Sequence, residues 1–184
     1  MNAALRLSWY KFKHHYMDFV KVLLGIVAFE GLILYIQDKG FLKDFETTRM
    51  TLFLLLFSTS LLIVVQNSIY ISKERSVLNR DFFSGLSRSA FALASMGIHA
   101  FFAVLETIVF ILSYSVFSKF FDKEFPDAGH IFGSYRWEVG ITVLLVFLAS
   151  HFIALFISAL VGKSEITSVI LAVIVGIMQF SLSG

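Results

Sequence analysis

The fold is decided by two apolar stretches, MTLFLLLFSTSLLIVVQNSIYI at residues 50–71 and VGITVLLVFLASHFIALFISALV at residues 139–161. Neither contains Asp, Glu, Lys or Arg. The hydrocarbon core of a bilayer needs ~20 consecutive apolar residues in a helix. Because the backbone in lipid must satisfy its own hydrogen bonds, each stretch is predicted to be a transmembrane helix.

Three further apolar runs extend this pattern over most of the chain. The run at 90–117 contains a single charged residue, Glu106. We therefore predict an all-α integral membrane fold with about five spans, at 19–36, 50–71, 90–117, 139–161 and 166–180. The transmembrane domain covers residues 19–184.

The composition agrees with a membrane protein that contacts lipid. The chain is 58% hydrophobic and 15% charged, whereas soluble domains are about 25% charged. A net charge of +2 lacks the basic excess of a nucleic-acid-binding protein, so no nucleic acid partner is expected. The absence of cysteine excludes disulfides and thiolate metal sites.

The N-terminal arm, residues 1–18, is predicted to be an interfacial amphipathic helix. At 100° per residue, four large side chains lie within ~60° of one another: Leu5, Trp9, Phe12 and Tyr16. Such a helix lies in the membrane interface. It is either a simple anchor or a strut that also touches a cytoplasmic partner.

The orientation follows from Lys and Arg in the loops. The N-terminal arm and the second and fourth loops carry eight basic residues, against six in the first and third loops. This predicts a cytoplasmic N-terminus and an external C-terminus.

The second loop, residues 72–89, is denser in charged and aromatic side chains than a simple connection. Two phenylalanines expected to be exposed among charges suggest a docking surface, with a short amphipathic helix resting on headgroups as the alternative. Gly85 is expected to end that helix, and Ser87 or Ser89 to cap the third span. The candidate docking residues are Lys73, Glu74, Arg75, Arg80, Asp81, Phe82 and Phe83.

Four ionisable side chains fall inside the apolar runs: Glu30, His99, Glu106 and His151. Such groups are costly in lipid and suggest function. His99 and Glu106 are seven residues apart and share one helix face, which Ser113 extends. A buried seam of interhelical hydrogen bonds is the favoured interpretation, and a proton relay is the alternative. No tight ligand spacing supports a metal site, and no motif indicates a catalytic or cofactor site.

Two stretches carry a family resemblance. The first stretch runs from Asn67 to Phe110. Within it, ERSVLNRDFFSGLSRSAF matches the pattern E-R…R-E-x-x-x-G-L-S-x-x-A-Y, with Asp81 in place of Glu and Phe91 in place of Tyr. Residues 125–184 resemble the fourth and fifth spans of the same family, including a closing Q-x-x-x-S-G. The chain thus resembles the membrane domain of type-2 ATP-binding cassette exporters, especially subfamily G-like permeases.

The resemblance implies a permease without hydrolytic activity. It implies that a partner ATPase, which holds ATP and Mg²⁺, docks at 73–83, and that a second permease half completes a substrate cavity lined mainly by spans 2 and 5. Such permeases have six spans, so we expect either a longer chain or another chain that supplies the sixth. The expected location is the bacterial inner membrane. Two other functions stay open: a proton-coupled secondary carrier, and a non-transporting anchor or assembly subunit.

Overall fold

The computed structural model describes residues 10, 16–37, 45–122, 131, 133–161 and 164–182, which form α-helices and turns without a β-strand. The helices are α1 (Tyr16–Ile36), α2 (Phe45–Asn67), α3 (Arg75–Phe83), α4 (Arg88–Phe120), α5 (Tyr135–Leu160) and α6 (Glu165–Leu182). The all-α membrane fold is confirmed.

Four helices, α1, α2, α4 and α5, are long and apolar enough to cross a membrane. The helix at the fifth predicted span, α6, is apolar but shorter, with 18 residues. The predicted interfacial helix lies outside the described residues except for Tyr10 and residues 16–18, and the latter three begin α1.

Helix α2 ends four residues before the end of the second predicted span. Helix α2 stops at Asn67, and residues 68–74 form turns. The Asn67 amide donates to the carbonyl of Ile63 at 2.9 Å. The Ser68 and Ser72 hydroxyls donate to carbonyls three residues earlier, at 2.8 and 3.2 Å. Such local bonds compete with the helical ladder, which apolar content alone does not reveal.

The long helices form a closed bundle. Helix α1 packs on α2 and α4, helix α5 packs on the same two, and α6 lies against α2 and α5. The main core lies inside this ring, where Leu34, Leu55, Phe110 and Phe147 are almost completely buried. A second cluster, Val64, Ile157, Val161 and Ala172, joins α2, α5 and α6.

Glycines allow two of these helix pairs to approach closely. A Cβ at Gly176 of α6 would lie 2.4 Å from Leu61 Cδ1 of α2. A Cβ at Gly25 of α1 would lie 2.5 Å from Leu62 Cδ2. Small residues at helix contacts are typical of membrane proteins, where close packing replaces the hydrophobic effect between helices.

The connection between α3 and α4 forms as the sequence predicts. Gly85 has a φ of 104°, a left-handed conformation that glycine adopts without steric cost. Ser87 is the N-cap of α4, and its hydroxyl accepts from the Ala90 N–H at 3.5 Å. These two residues end α3 and start α4 in a new direction.

Candidate functional site

Three of the four intramembrane ionisable residues meet between α4 and α5. His99 Nδ1 and His151 Nδ1 are 3.0 Å apart, and His151 Nε2 lies 2.8 Å from Glu106 Oε2. All three side chains are fully buried. We call these residues the polar chain. The predicted polar face of α4 therefore turns toward protein, and its partner is His151 of the next long helix.

The polar chain is linear. His151 uses one ring nitrogen for His99 and the other for Glu106, so the three groups do not converge on one point. Among the described residues, no group of three or more His, Cys, Asp or Glu side chains is arranged to hold a metal ion. The polar chain is a run of two consecutive hydrogen bonds between α4 and α5.

The fourth ionisable residue, Glu30, lies apart from the polar chain. It is fully buried on α1, and its Oε2 accepts a hydrogen bond from the Ser113 hydroxyl of α4. Ser113 also donates to the carbonyl of Val109 at 2.8 Å. Glu30 thus joins α1 to the same face of α4, about two turns beyond Glu106.

A cavity of about 80 Å³ lies beside the polar chain. We call it the His99 cavity. Its apolar wall includes Phe19, Tyr70 and Phe102, and His99 lines it as well. The edge-to-face arrangement of the Tyr70 and His99 rings, with centroids 4.7 Å apart, fixes the orientation of the imidazole. The polar lining residues are Asp18, Gln66, Asn67, Lys73 and Glu74.

The connection from α2 to α3 is fastened to the end of α5. The Ser158 hydroxyl accepts from the backbone N–H groups of Ile71 and Ser72, at 2.8 and 3.1 Å. Arg75 Nη1 donates to the carbonyls of Ala159 and Val161, at 3.1 and 2.5 Å. The last carbonyls of a helix lack partners within it, so an arginine is a favourable donor there.

The two phenylalanines of the predicted docking surface have different environments. The Phe82 ring is half-buried, lies 5.9 Å from the Phe91 ring of α4 and is covered by the Arg88 guanidinium at 5.6 Å. Phe83 is 94% exposed. The expectation that both rings are exposed is therefore wrong for Phe82, because α4 begins close enough to cover it.

The remaining candidate docking residues also divide by environment. Lys73 Nζ lies 4.0 Å from Asp18 Oδ2 at the start of α1, and Glu74 lines the His99 cavity. Arg80 is exposed, with its Nε 3.8 Å from Asp81 Oδ1.

The outward side of α3 carries Val77, Arg80 and Phe83, which we call the docking face. These residues are three apart and share one side of the helix. Val77 is not among the residues predicted to dock, and its i, i+3, i+6 spacing with Arg80 and Phe83 puts it on the same side of α3.

The comparisons with known proteins agree with this architecture. The family model described as ABC-2 type transporter matches residues 6–184. The chain belongs to the ABC-2 type transporter family. This permease is an integral, multi-pass membrane protein, the membrane subunit of an ATP-binding cassette transporter, and is not itself catalytic. ABC-2 permeases normally work with an ATP-binding cassette ATPase. Neither a curated protein nor a solved structure matches the permease significantly.

Proposed function

We propose that this permease forms half of the substrate pathway of an ATP-driven exporter and is driven by a cytoplasmic ATPase that binds the docking face. The ATPase holds ATP and Mg²⁺, and closure of its nucleotide sites moves α3. Family membership favours this function over a proton-coupled secondary carrier or a non-transporting anchor.

The observation that carries the proposal is the two-sided environment of α3. Its inward residue Leu78 is 2% exposed, whereas Phe83 on the outward side is 94% exposed. An exposed aromatic beside a charged residue is typical of the anchor of a docking interface. The inward side, through Arg75 and Phe82, is fastened to α5 and α4. A displacement of the docking face would therefore be transmitted to the membrane-spanning helices α4 and α5. A rigid-body mechanism requires such a connection.

The pathway itself is proposed to lie between two permease halves. By the resemblance, the helices facing it are α2 and α6, which pack against each other. Helix α6 also exposes large apolar side chains, including Ile166, Ile170, Ile174 and Ile177. A second half or membrane lipid covers this face. The second half is either a second copy of this chain or a related chain.

The proposed orientation places the N-terminus and α3 on the cytoplasmic side of the bacterial inner membrane. It rests on the excess of Lys and Arg in the N-terminal arm and in the loop containing α3. An ATPase is cytoplasmic, so its binding at the docking face tests the orientation as well.

The test is the affinity of the permease, in nanodiscs, for its ATPase. Phe83→Ala should weaken binding about thirtyfold, which corresponds to ~2 kcal/mol for one aromatic anchor. Insertion and folding should be unchanged, because the ring contributes little to the core of the bundle.

Phe120→Ala is the matched control. Phe120, at the other end of α4, is 81% exposed, so it loses a similar aromatic surface on the opposite side of the bundle. It should bind the ATPase like the wild type. Unchanged ATPase affinity and unchanged stimulated hydrolysis in Phe83→Ala would refute docking at this face.

A further inference from the structure

The backbone between α2 and α3 depends on α5 for two of its hydrogen bonds. The Lys73 N–H donates to the carbonyl of Ile69 at 2.9 Å, as in a helical turn. The N–H groups of Ile71 and Ser72 donate instead to the Ser158 hydroxyl of α5, at 2.8 and 3.1 Å. One oxygen atom of a distant helix therefore serves as the acceptor for two neighbouring backbone donors.

This contact lies inside the protein. Ser158 has no exposed surface, and Ser72 is 3% exposed. A buried N–H group that loses its acceptor is left desolvated and unbonded, because water does not reach it to replace the lost bond. The turn that separates α2 from α3 is therefore stable in this shape only while it lies against α5.

Arg75, the first residue of α3, adds a second attachment to the same helix end. Its Nη1 donates to the carbonyls of Ala159 and Val161, which flank the last residue of α5, Leu160. We call the four hydrogen bonds from residues 71, 72 and 75 to residues 158, 159 and 161 the α5 attachment.

The other contacts of this region are of a different kind. The ion pair of Lys73 with Asp18 of α1 joins side chains that are 41% and 37% exposed, and exposed ion pairs contribute little. The contacts of Phe82 with the start of α4 are aromatic and cation–π contacts, which constrain geometry less than hydrogen bonds do. The chain joins α4 through Gly85, where an added Cβ would meet nothing within 4 Å. Helix α3 is therefore held most firmly by α5.

The end of α5 leads directly to α6. Helix α5 ends at Leu160, and α6 begins at Glu165. Val161 also belongs to the cluster that includes Ala172 of α6. A displacement of α3 that reaches the end of α5 would therefore reach the start of α6 without crossing the main core of the bundle.

We propose that Ser158 and Arg75 are positioning residues that make α3, the end of α5 and the start of α6 move as one body. This inference rests on the proposed function, because it takes the ATPase at the docking face as the source of the movement. Helix α4, which the chain reaches through Gly85, is the part of the bundle relative to which this body moves. The ATPase then acts on the pathway through α6, one of the two helices proposed to face it.

The bonds themselves are tested by amide hydrogen exchange of the permease in nanodiscs. Ser158→Ala should speed exchange at Ile71 and Ser72 about tenfold, because both amides lose their acceptor. Ser168→Ala is the matched control, since its equally buried hydroxyl donates to the carbonyl of Ser164, four residues earlier. It should leave both amides unchanged, and Ser158→Thr, which keeps a hydroxyl, should restore the slow exchange.

The movement is tested by distances between spin labels in the complex of the permease with its ATPase. The chain has no native cysteine, so Asn79→Cys in α3, Leu93→Cys in α4 and Glu165→Cys in α6 supply labels at exposed positions. When ATP binds, the distance between labels 79 and 165 should stay constant. The distance between labels 93 and 165 should change.

Ser158→Ala should separate binding from movement. It leaves the docking face unaltered, so the ATPase should bind as it does to the wild type. The distance between labels 79 and 165 should now change when ATP binds, and the change between labels 93 and 165 should shrink. Phe83→Ala should do the opposite: it weakens binding but retains the wild-type movement once the ATPase is saturating.

Three results would overturn the inference. The first is a wild-type distance between labels 79 and 165 that changes when ATP binds. The second is a Ser158→Ala variant that moves like the wild type, and the third is one whose exchange at Ile71 and Ser72 is unchanged. If Ser158→Ala does not fold, Arg75→Ala replaces it in the distance measurement and should loosen the same pair of labels. Unchanged ATPase affinity in Phe83→Ala is a different outcome, because it refutes docking at α3 and thereby the proposed function, on which this inference rests.

Discussion

Two contacts between helices of the bundle hold their helices together by different means. Between α4 and α5, His99, His151 and Glu106 form consecutive hydrogen bonds at 3.0 and 2.8 Å. Between α2 and α6, Gly176 brings the backbones close enough that a Cβ would lie 2.4 Å from Leu61. Lipid is as apolar as a leucine side chain, so helices in it associate through polar bonds or close packing. The contact between α4 and α5 depends on the hydrogen-bonding groups of its side chains. The contact between α2 and α6 depends on the volume of its side chains.

The largest effect is expected from Glu106→Leu, which breaks the polar contact. Leucine leaves His151 Nε2 without an acceptor in the fully buried interior. Removing one member of such a buried pair should destabilise the fold by about 3 kcal/mol. The measurement is the free energy of unfolding in a detergent-to-SDS titration.

Glu106→Gln is the control for this prediction. It keeps an acceptor of nearly the same size, so most of the stability should remain. A Glu106→Leu variant as stable as the wild type would show that the polar chain does not hold α4 and α5 together.

A smaller effect is expected from Gly176→Leu, which breaks the close-packed contact. The new side chain must displace Leu61 or push α6 away, and such overpacking costs about 2 kcal/mol. Adding Leu61→Ala should recover much of the loss in the same titration. Gly97→Leu is the matched control, because a Cβ at Gly97 meets nothing within 4 Å. Equal losses for Gly176→Leu and Gly97→Leu would contradict the role of close packing.

The smallest effect is expected from Ser150→Ala. Ser60 and Ser150 hydroxyls are 2.7 Å apart and join α2 to α5. Single polar contacts between membrane helices contribute about 0.6 kcal/mol. Ser115→Ala is the comparison, since the Ser115 hydroxyl donates to Ile111 of its own helix at 2.7 Å. A Ser150→Ala loss as large as that of Glu106→Leu would mean that the two polar contacts are not distinct in strength.

The sequence predicts most of what depends on one helix alone. The spans follow from runs of apolar residues, and the shared face of His99, Glu106 and Ser113 follows from a seven-residue spacing. The turn at Gly85 and the cap at Ser87 follow from local chemistry.

Contacts between side chains of two different helices are not predictable from these patterns. Spacing along α4 does not say that His151 of α5 completes the polar chain, because the pairing is set by the rotation and depth of both helices. Phe82 illustrates the same limit. Phe82 is next to Phe83 in the sequence and equally apolar. Its ring is covered only because Arg88 and Phe91, at the start of α4, pack against it.

The bond from Arg75 to the end of α5 has a consequence for sequence variation. Its acceptors are the main-chain oxygens of Ala159 and Val161, which any amino acid at those positions supplies equally. Substitutions at 159 and 161 that preserve the helix end should therefore leave the bond intact. Only the donor side is constrained, because a single side-chain nitrogen, Arg75 Nη1, donates to both oxygens and must reach the end of α5 to do so. Paired changes across this contact are accordingly not expected among related permeases.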